Sequence, residues 1–285
     1  MLPFAIHFPS WAWALFAAAA LAAAIVLLQG KLLFGRTWVI RRTDPGPAAA
    51  QRRSEAVWLE RPGGVKLQGW LTVPTDAAAP RRLLLWLGGR NENVAWTPDL
   101  AGWLPDDCAL LAFNYRSLGA SGGWPSEAAC VADAEAAAAW GLARFNLPPT
   151  ALHLAGRSLG TGVAMQLAAR LAAAGRPVAS VALITPLKSL RAVLRRNPLI
   201  APLTPWLRSP LDSIAAARAV RGGGAVLVLL AERDRQVPHA HSHALVHALR
   251  RAGAAVTVQQ LAGTDHRSLA RTPAAMQRLG AWLAA

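Results

Sequence analysis

Apolar positions along the chain fall into two kinds of run. Short continuous ones, of strand length, stand at residues 83–87, 108–114, 151–155, 178–185, 225–231 and 255–261. Between them lie segments with helical spacing, such as 163–171, and a last one at 273–283. Strands that are apolar on both faces and alternate with helices predict a mostly parallel α/β sheet covered on both sides. Ahead of this pattern, residues 57–59 and 65–73 flank the turn Pro62-Gly63-Gly64 and predict an antiparallel start. There is no internal repeat, and the Ala-rich segment after Pro125 is low in complexity but strong in helix propensity.

One apolar run is of a different kind. Residues 11–28 carry no charge and no strong polar group, and about 18 such residues are the minimum for a membrane-spanning helix. This run adds to the 54% hydrophobic content and accounts for much of the mean hydropathy of +0.28. A cleaved signal peptide would open on a positive segment, yet residues 1–10 contain no Lys or Arg. The expectation is therefore an N-terminal transmembrane anchor over 1–30, a basic, proline-containing linker over 31–54 and a catalytic domain over 55–285. Lys31, Arg36, Arg41 and Arg42 follow the run, and the positive-inside rule puts that side in the cytoplasm. A periplasmic or secreted domain is the alternative if the N-terminus is removed.

Charge adds little to the choice of partner. The formal net charge is +15, but no nucleic-acid module or aromatic-interleaved basic ribbon accompanies it, so no nucleic-acid partner is expected. Basic residues near an anchor suit anionic lipid, and arginines scattered along the chain read as compositional bias. Cys108 and Cys130 form neither a disulfide framework nor a zinc set and read as small buried residues, reduced in a cytoplasmic domain.

Candidate chemistry begins at Gly156-Arg157-Ser158-Leu159-Gly160, between the strand at 151–155 and the helix at 163–171. G-x-S-x-G at a strand-to-helix junction is a nucleophile elbow: Gly156 and Gly160 allow close backbone approach, and the helix N-terminus favours a developing oxyanion. A plain serine N-cap is the rival reading. A dinucleotide fingerprint does not fit the glycine spacing. An elbow serine needs an acid and a base in loops after later strands, in the order Ser, Asp, His. Asp234 follows the strand at 225–231, and His266 follows the strand at 255–261. Glu232 is the nearby alternative acid. Asp212 reads as a helix cap, and Asp265 adjoins His266 too closely to serve it. His153 reads as a core residue, His7 belongs to the anchor's end, and His239, His241, His243 and His247 read as an exposed helix start. His243 and His247 have i, i+4 spacing but no accompanying glutamate, so no metal and no cofactor are expected. The backbone N–H of Leu159 is one expected oxyanion donor, and the loop from Gly88 to Val94 should supply the other.

These stretches, with Asn114 to Gly123 and Ser209 to Ser213, make the chain resemble the α/β-hydrolase superfamily over residues 55–285. Within it the resemblance is to membrane-anchored, lid-poor serine hydrolases related to the serine aminopeptidase-like group. It implies an α/β-hydrolase fold with a minimal cap, the triad Ser158, Asp234 and His266, and Arg90 as the second oxyanion donor. Such proteins usually carry His-Gly where this chain has Gly88-Gly89, which is expected to loosen that loop without removing a backbone donor. The implied activity is hydrolysis of a small-molecule or lipid acyl ester, or a thioester. A serine peptidase and a non-catalytic membrane-anchored scaffold are the other readings. Residues 187–208, short for a lid and mixed apolar and basic, are expected beside the active site at the membrane face or as a partial cap.

Overall fold

The computed structural model describes residues 9–35, 51–75, 79–219 and 224–285. His7, Arg36, Arg41 and Arg42 lie outside them. Eight strands form one sheet in the order β1-β2-β4-β3-β5-β6-β7-β8. They are β1 (Arg52–Arg61), β2 (Val65–Pro74), β3 (Arg82–Leu87), β4 (Cys108–Phe113), β5 (Leu152–Arg157), β6 (Ser180–Ile184), β7 (Ala225–Arg233) and β8 (Val256–Asp265). β2 pairs antiparallel with both β1 and β4, and every later pairing is parallel.

The two-sided strands expected from the apolar runs are present. In β3, Leu83, Leu85 and Leu87 face one core with helices α2 (Glu127–Arg144), α3 (Leu159–Ala173) and α6 (His239–Arg251). Leu84 and Trp86 face the other core, with α7 (Pro273–Ala284) and a 3₁₀ segment at Val94–Trp103. The alternation is the period of two that a strand imposes. Local chemistry sets the helix starts: Ser126 Oγ accepts from Ala129 N at the head of α2, and Thr272 Oγ1 from Ala275 N, before Pro273, at the head of α7. Between β6 and β7 the described residues form two short helices, α4 (Leu190–Leu194) and α5 (Ser213–Ala219), and a 3₁₀ turn at Ala201–Trp206. Leu190–Leu194 and the 3₁₀ turn lie in residues 187–208, the stretch expected as a partial cap, whereas Ser213–Ala219 packs in the core against α3 and α6.

The N-terminal helix α1 runs from Ser10 to Phe34, past the expected anchor boundary at 30, and β1 starts at Arg52, before the expected domain boundary at 55. Its last turn belongs to the domain. Phe34 is fully buried in the core, edge-on to Tyr115 at 5.9 Å. Gln29 Oε1 accepts from Arg208 N, Lys31 Nζ lies 3.9 Å over the Trp124 ring, and Phe34 O accepts from Asn91 N. Upstream, Trp11, Trp13, Leu15, Phe16 and Leu21 are exposed. Several side chains of the apolar run (18, 19, 22 and 25–27) lie outside those described, and among the described residues no helix is long and apolar enough to cross a membrane. The transmembrane expectation thus rests on the sequence alone.

Candidate active site

The C-terminal ends of the parallel strands gather the candidate residues. Ser158 links β5 to α3 with φ 50° and ψ −116°, a positive φ that a non-glycine residue adopts only under strain. The surroundings enforce it. Ser158 N donates to Ile184 O at 2.9 Å, and Ser158 O accepts from Thr161 N and Thr161 Oγ1. A Cβ on Gly160 would stand 2.0 Å from Leu87 O, and one on Gly156 would stand 2.5 Å from Gly160 O. The glycines therefore let the helix start against the end of β3. No capping hydrogen bond comes from the Ser158 side chain, so the hydroxyl is free for other partners and the plain N-cap reading lapses.

His266, after β8, faces Ser158 Oγ with Nε2 at 2.8 Å and Asp234 Oδ2 with Nδ1 at 2.8 Å. Both partners' side chains are buried, 7% exposed for His266 and 3% for Asp234. An ionised carboxylate has no proton to give, so Nδ1 donates to it and Nε2 is left to accept from the serine hydroxyl. The other carboxylate oxygen of Asp234 accepts from Gln236 N and Val237 N, which fixes the acid before the histidine arrives. A bulge between Ala231 and Arg233 shifts the β7–β8 register just ahead of this loop. An open cleft of about 550 Å³ adjoins His266, lined also by Arg233, Arg235, Thr264 and Arg267.

The alternatives have other employment. Glu232 accepts from Gly263 N at 2.6 Å. Asp212 caps Ile214 N and Ala215 N, and Asp265 holds a turn through Arg267 N and Ser268 N. His153 sits at the opposite end of β5, its Nδ1 2.6 Å from Ser180 Oγ, and burial pushes its pKa down to about 4. His239 Nε2 contacts Ala231 O, and His241 is buried rather than exposed. Burial, with Lys188 and Arg196 nearby, lowers the pKa of His241. Among the described residues no group of His, Cys, Asp or Glu is arranged to hold a metal ion. Cys108 and Cys130 are free and buried; burial raises both thiols, Cys108 to about 12.

Leu159 is the first residue of α3, so its N–H has no intrahelical acceptor. In the β3 loop Gly89 N is occupied, donating to Glu92 Oε2 at 2.6 Å, while Arg90 N makes no hydrogen bond among the described residues. Gly88 and Gly89 begin this loop. Both glycines are buried, and Cβ atoms there would meet Val94 Cγ1 and Glu92 Oε2, each at 3.1 Å. Two features escaped the sequence: the Glu92–Arg157 ion pair under this loop, at 2.7 Å, and the α1 contacts, in which the Arg90 guanidinium donates to Leu32 O. The first had a faint signal in the charges themselves, Arg157 beside the elbow serine and Glu92 in the loop after the 83–87 run.

An eight-stranded sheet of this order, with Ser, Asp and His in loops after β5, β7 and β8, is the α/β-hydrolase fold. No family model matches the chain. An uncharacterized protein of Mycobacterium tuberculosis is 30% identical over 206 residues, 72% of this chain and 70% of that protein. The lysophosphatidylserine lipase ABHD12 of Danio rerio is 36% identical over 89 residues, 31% of this chain and 23% of that protein. Among solved structures, a fungal esterase of Rhizomucor miehei superposes with a TM-score of 0.62 at 18% identity, covering 82% of each chain. The chain belongs to one family with that Mycobacterium tuberculosis protein, and its fold is that of the α/β-hydrolases.

Proposed function

We propose that this chain is a serine hydrolase of carboxylesterase type, cleaving an acyl ester or thioester. The observation that carries the proposal is the pair of 2.8 Å contacts that string Ser158, His266 and Asp234 together. Ser158 Oγ attacks the acyl carbon while His266 Nε2 takes its proton, and Asp234 stabilises the imidazolium. The N–H groups of Leu159 and Arg90 receive the oxyanion. Collapse expels the alcohol or thiol, protonated by His266. A water then gives its proton to His266 and attacks the acyl-enzyme; the acid leaves, and the proton returns to Ser158. The esterase and lipase names among similar proteins support an ester or lipid substrate. The intact hydrogen-bonded set speaks against a mere scaffold, and esters demand less of the leaving group than peptides do.

We further place the chain among membrane-anchored, lid-poor members related to the serine aminopeptidase-like group, with α1 in the bilayer and the catalytic domain on the cytoplasmic side. Support comes from the apolar run 11–28, from exposed Trp124 beneath Lys31 of α1, and from exposed Leu199, Leu203 and Trp206 in the segment leading to Arg208, whose N–H Gln29 of α1 binds. Lys188, Arg191, Arg195 and Arg196 of the cap would meet anionic lipid. Neutralising these four should weaken binding to anionic vesicles, and unchanged binding removes the cap from the membrane contact.

The test of the enzymatic reading is labelling by a fluorophosphonate probe, which needs no knowledge of the substrate. The full chain in detergent is the right material, because Phe34 is part of the core. Labelling of wild type and its loss in folded Ser158→Ala and His266→Ala is the expected result. A folded wild type that does not label returns the scaffold reading to the lead.

A further inference from the structure

Beneath the three loops of the proposed site lies one buried ion pair. Glu92, with a side chain only 4% exposed, uses both carboxylate oxygens. Oε2 accepts from Arg157 Nη1 at 2.7 Å and from Gly89 N at 2.6 Å. Oε1 accepts from the indole N–H groups of Trp96 at 3.0 Å and Trp86 at 3.3 Å. Arg157, the residue before the nucleophile, turns its other terminal nitrogen to His266 O at 3.4 Å and Arg267 O at 3.2 Å. A single guanidinium–carboxylate contact thus touches the elbow, the oxyanion loop and the histidine loop. The glycines above it leave room: a Cβ on Gly89 would stand 3.1 Å from Glu92 Oε2 and 3.4 Å from Arg157 Nη1.

We propose that Glu92 and Arg157 are positioning residues for the hydrolytic reaction: their ion pair sets the spacing between nucleophile, base and oxyanion donor, and Gly88-Gly89 is the space it requires. This rests on the serine-hydrolase reading. The physical reason is geometric. By holding Gly89 N, Glu92 uses that donor inside the loop and leaves the next one, at Arg90, for the oxyanion. By reaching the carbonyls of His266 and Arg267, Arg157 ties the base loop to the strand that ends in Ser158. A buried charge without its partner is costly, so the pair forms as a unit and the loops move together.

The experiment compares wild type, Glu92→Gln, Arg157→Lys, Arg157→Met and the double Glu92→Gln/Arg157→Met in hydrolysis of a neutral p-nitrophenyl ester. Rates are normalised to sites titrated by the fluorophosphonate, so that unfolded protein does not count. The expectation is a kcat loss of about 10–100-fold in each of Glu92→Gln and Arg157→Met with KM changed less than threefold, since an oxyanion donor is worth roughly 10²–10³ in kcat. Arg157→Lys should recover part of the loss, and the double variant should lose no more than the worse single one, as residues acting as a unit do. If titrated variants keep kcat within twofold of wild type while melting earlier, the pair only holds the fold and the proposal is overturned. A wild type that labels but is matched by its variants refutes positioning alone. A folded wild type that neither labels nor turns over refutes the hydrolase reading beneath it. Should Glu92→Gln not fold, Arg157→Lys against Arg157→Met decides.

Discussion

Replacing Gly160 by alanine asks how closely the nucleophile's helix must approach the sheet. The new Cβ would stand 2.0 Å from Leu87 O, 2.7 Å from Leu87 C and 2.5 Å from Gly88 O. All three are backbone atoms at the end of a central strand, so no side chain can swing away. Relief to ordinary contact, about 3.4 Å, requires the head of α3 and the end of β3 to part by over 1 Å, and overpacking of this kind costs about 1–3 kcal/mol. The same displacement separates the two proposed oxyanion donors, because Leu159 rides on α3 and Arg90 on the loop after β3. A misplacement of about 1 Å at a reacting centre costs roughly 10²-fold in rate. The assay is the second-order rate of fluorophosphonate labelling at a temperature where circular dichroism shows the variant folded. Gly122→Ala is the control: its Cβ would meet only Lys66 O, at 3.9 Å, and its rate should match wild type. A folded Gly160→Ala labelling within threefold of wild type would refute the argument that this contact spaces the site.

Other consequences can be checked separately. Asp234→Asn should lower kcat by about 10⁴-fold while leaving the fold intact, because an amide can present its N–H to Nδ1 and favour the wrong tautomer; a loss below tenfold would deny Asp234 its role. His153 has a pKa lowered from 6.5 to about 4 by burial, so the unfolded chain takes up a proton before the folded one does. Its stabilising contribution is present above pH 6.5 and falls by about 3 kcal/mol as pH drops to 4; urea midpoints of His153→Gln should show a shallower acid slope than wild type. Asp133 is buried between Arg61 and Arg116, at 2.9 and 2.7 Å, and Asp133→Ala should destabilise by about 3 kcal/mol, read from the denaturation midpoint. With their thiols raised by burial, Cys108 and Cys130 should resist iodoacetamide at pH 8 in the native protein and react only in denaturant.

The strands and the positions of Ser158, Asp234 and His266 at strand ends were legible because both follow short-range rules. Six parallel-sheet strands coincide with apolar runs, and Ser158, Asp234 and His266 stand in the loops that follow β5, β7 and β8. The element ends were less so: β8 runs on to Asp265 past the apolar stretch, since its ladder with β7 continues around a bulge. Glu92 and Arg157 are 65 positions apart and look like ordinary loop charges until the sheet brings their strands side by side. The same holds for the end of α1. Nothing in the local sequence near Phe34 says that it will fill a place beside Tyr115, because that place is made by β4 and the loop after it. His241, three-dimensionally enclosed by the cap, was misread for the same reason.

The end of α1 has a mechanical consequence. Its last turn is locked to the cap by Gln29, to the β4 loop by Lys31 and to the oxyanion loop through Leu32 and Phe34. Among the described residues these contacts tie the end of α1 to the body, which would make the helix a strut rather than a leash. With α1 in a bilayer as proposed, the enzyme would meet the surface at one fixed height and tilt. Its reach would then be a ring of lipid around the strut, and long acyl chains would be taken from beside the helix rather than from solution.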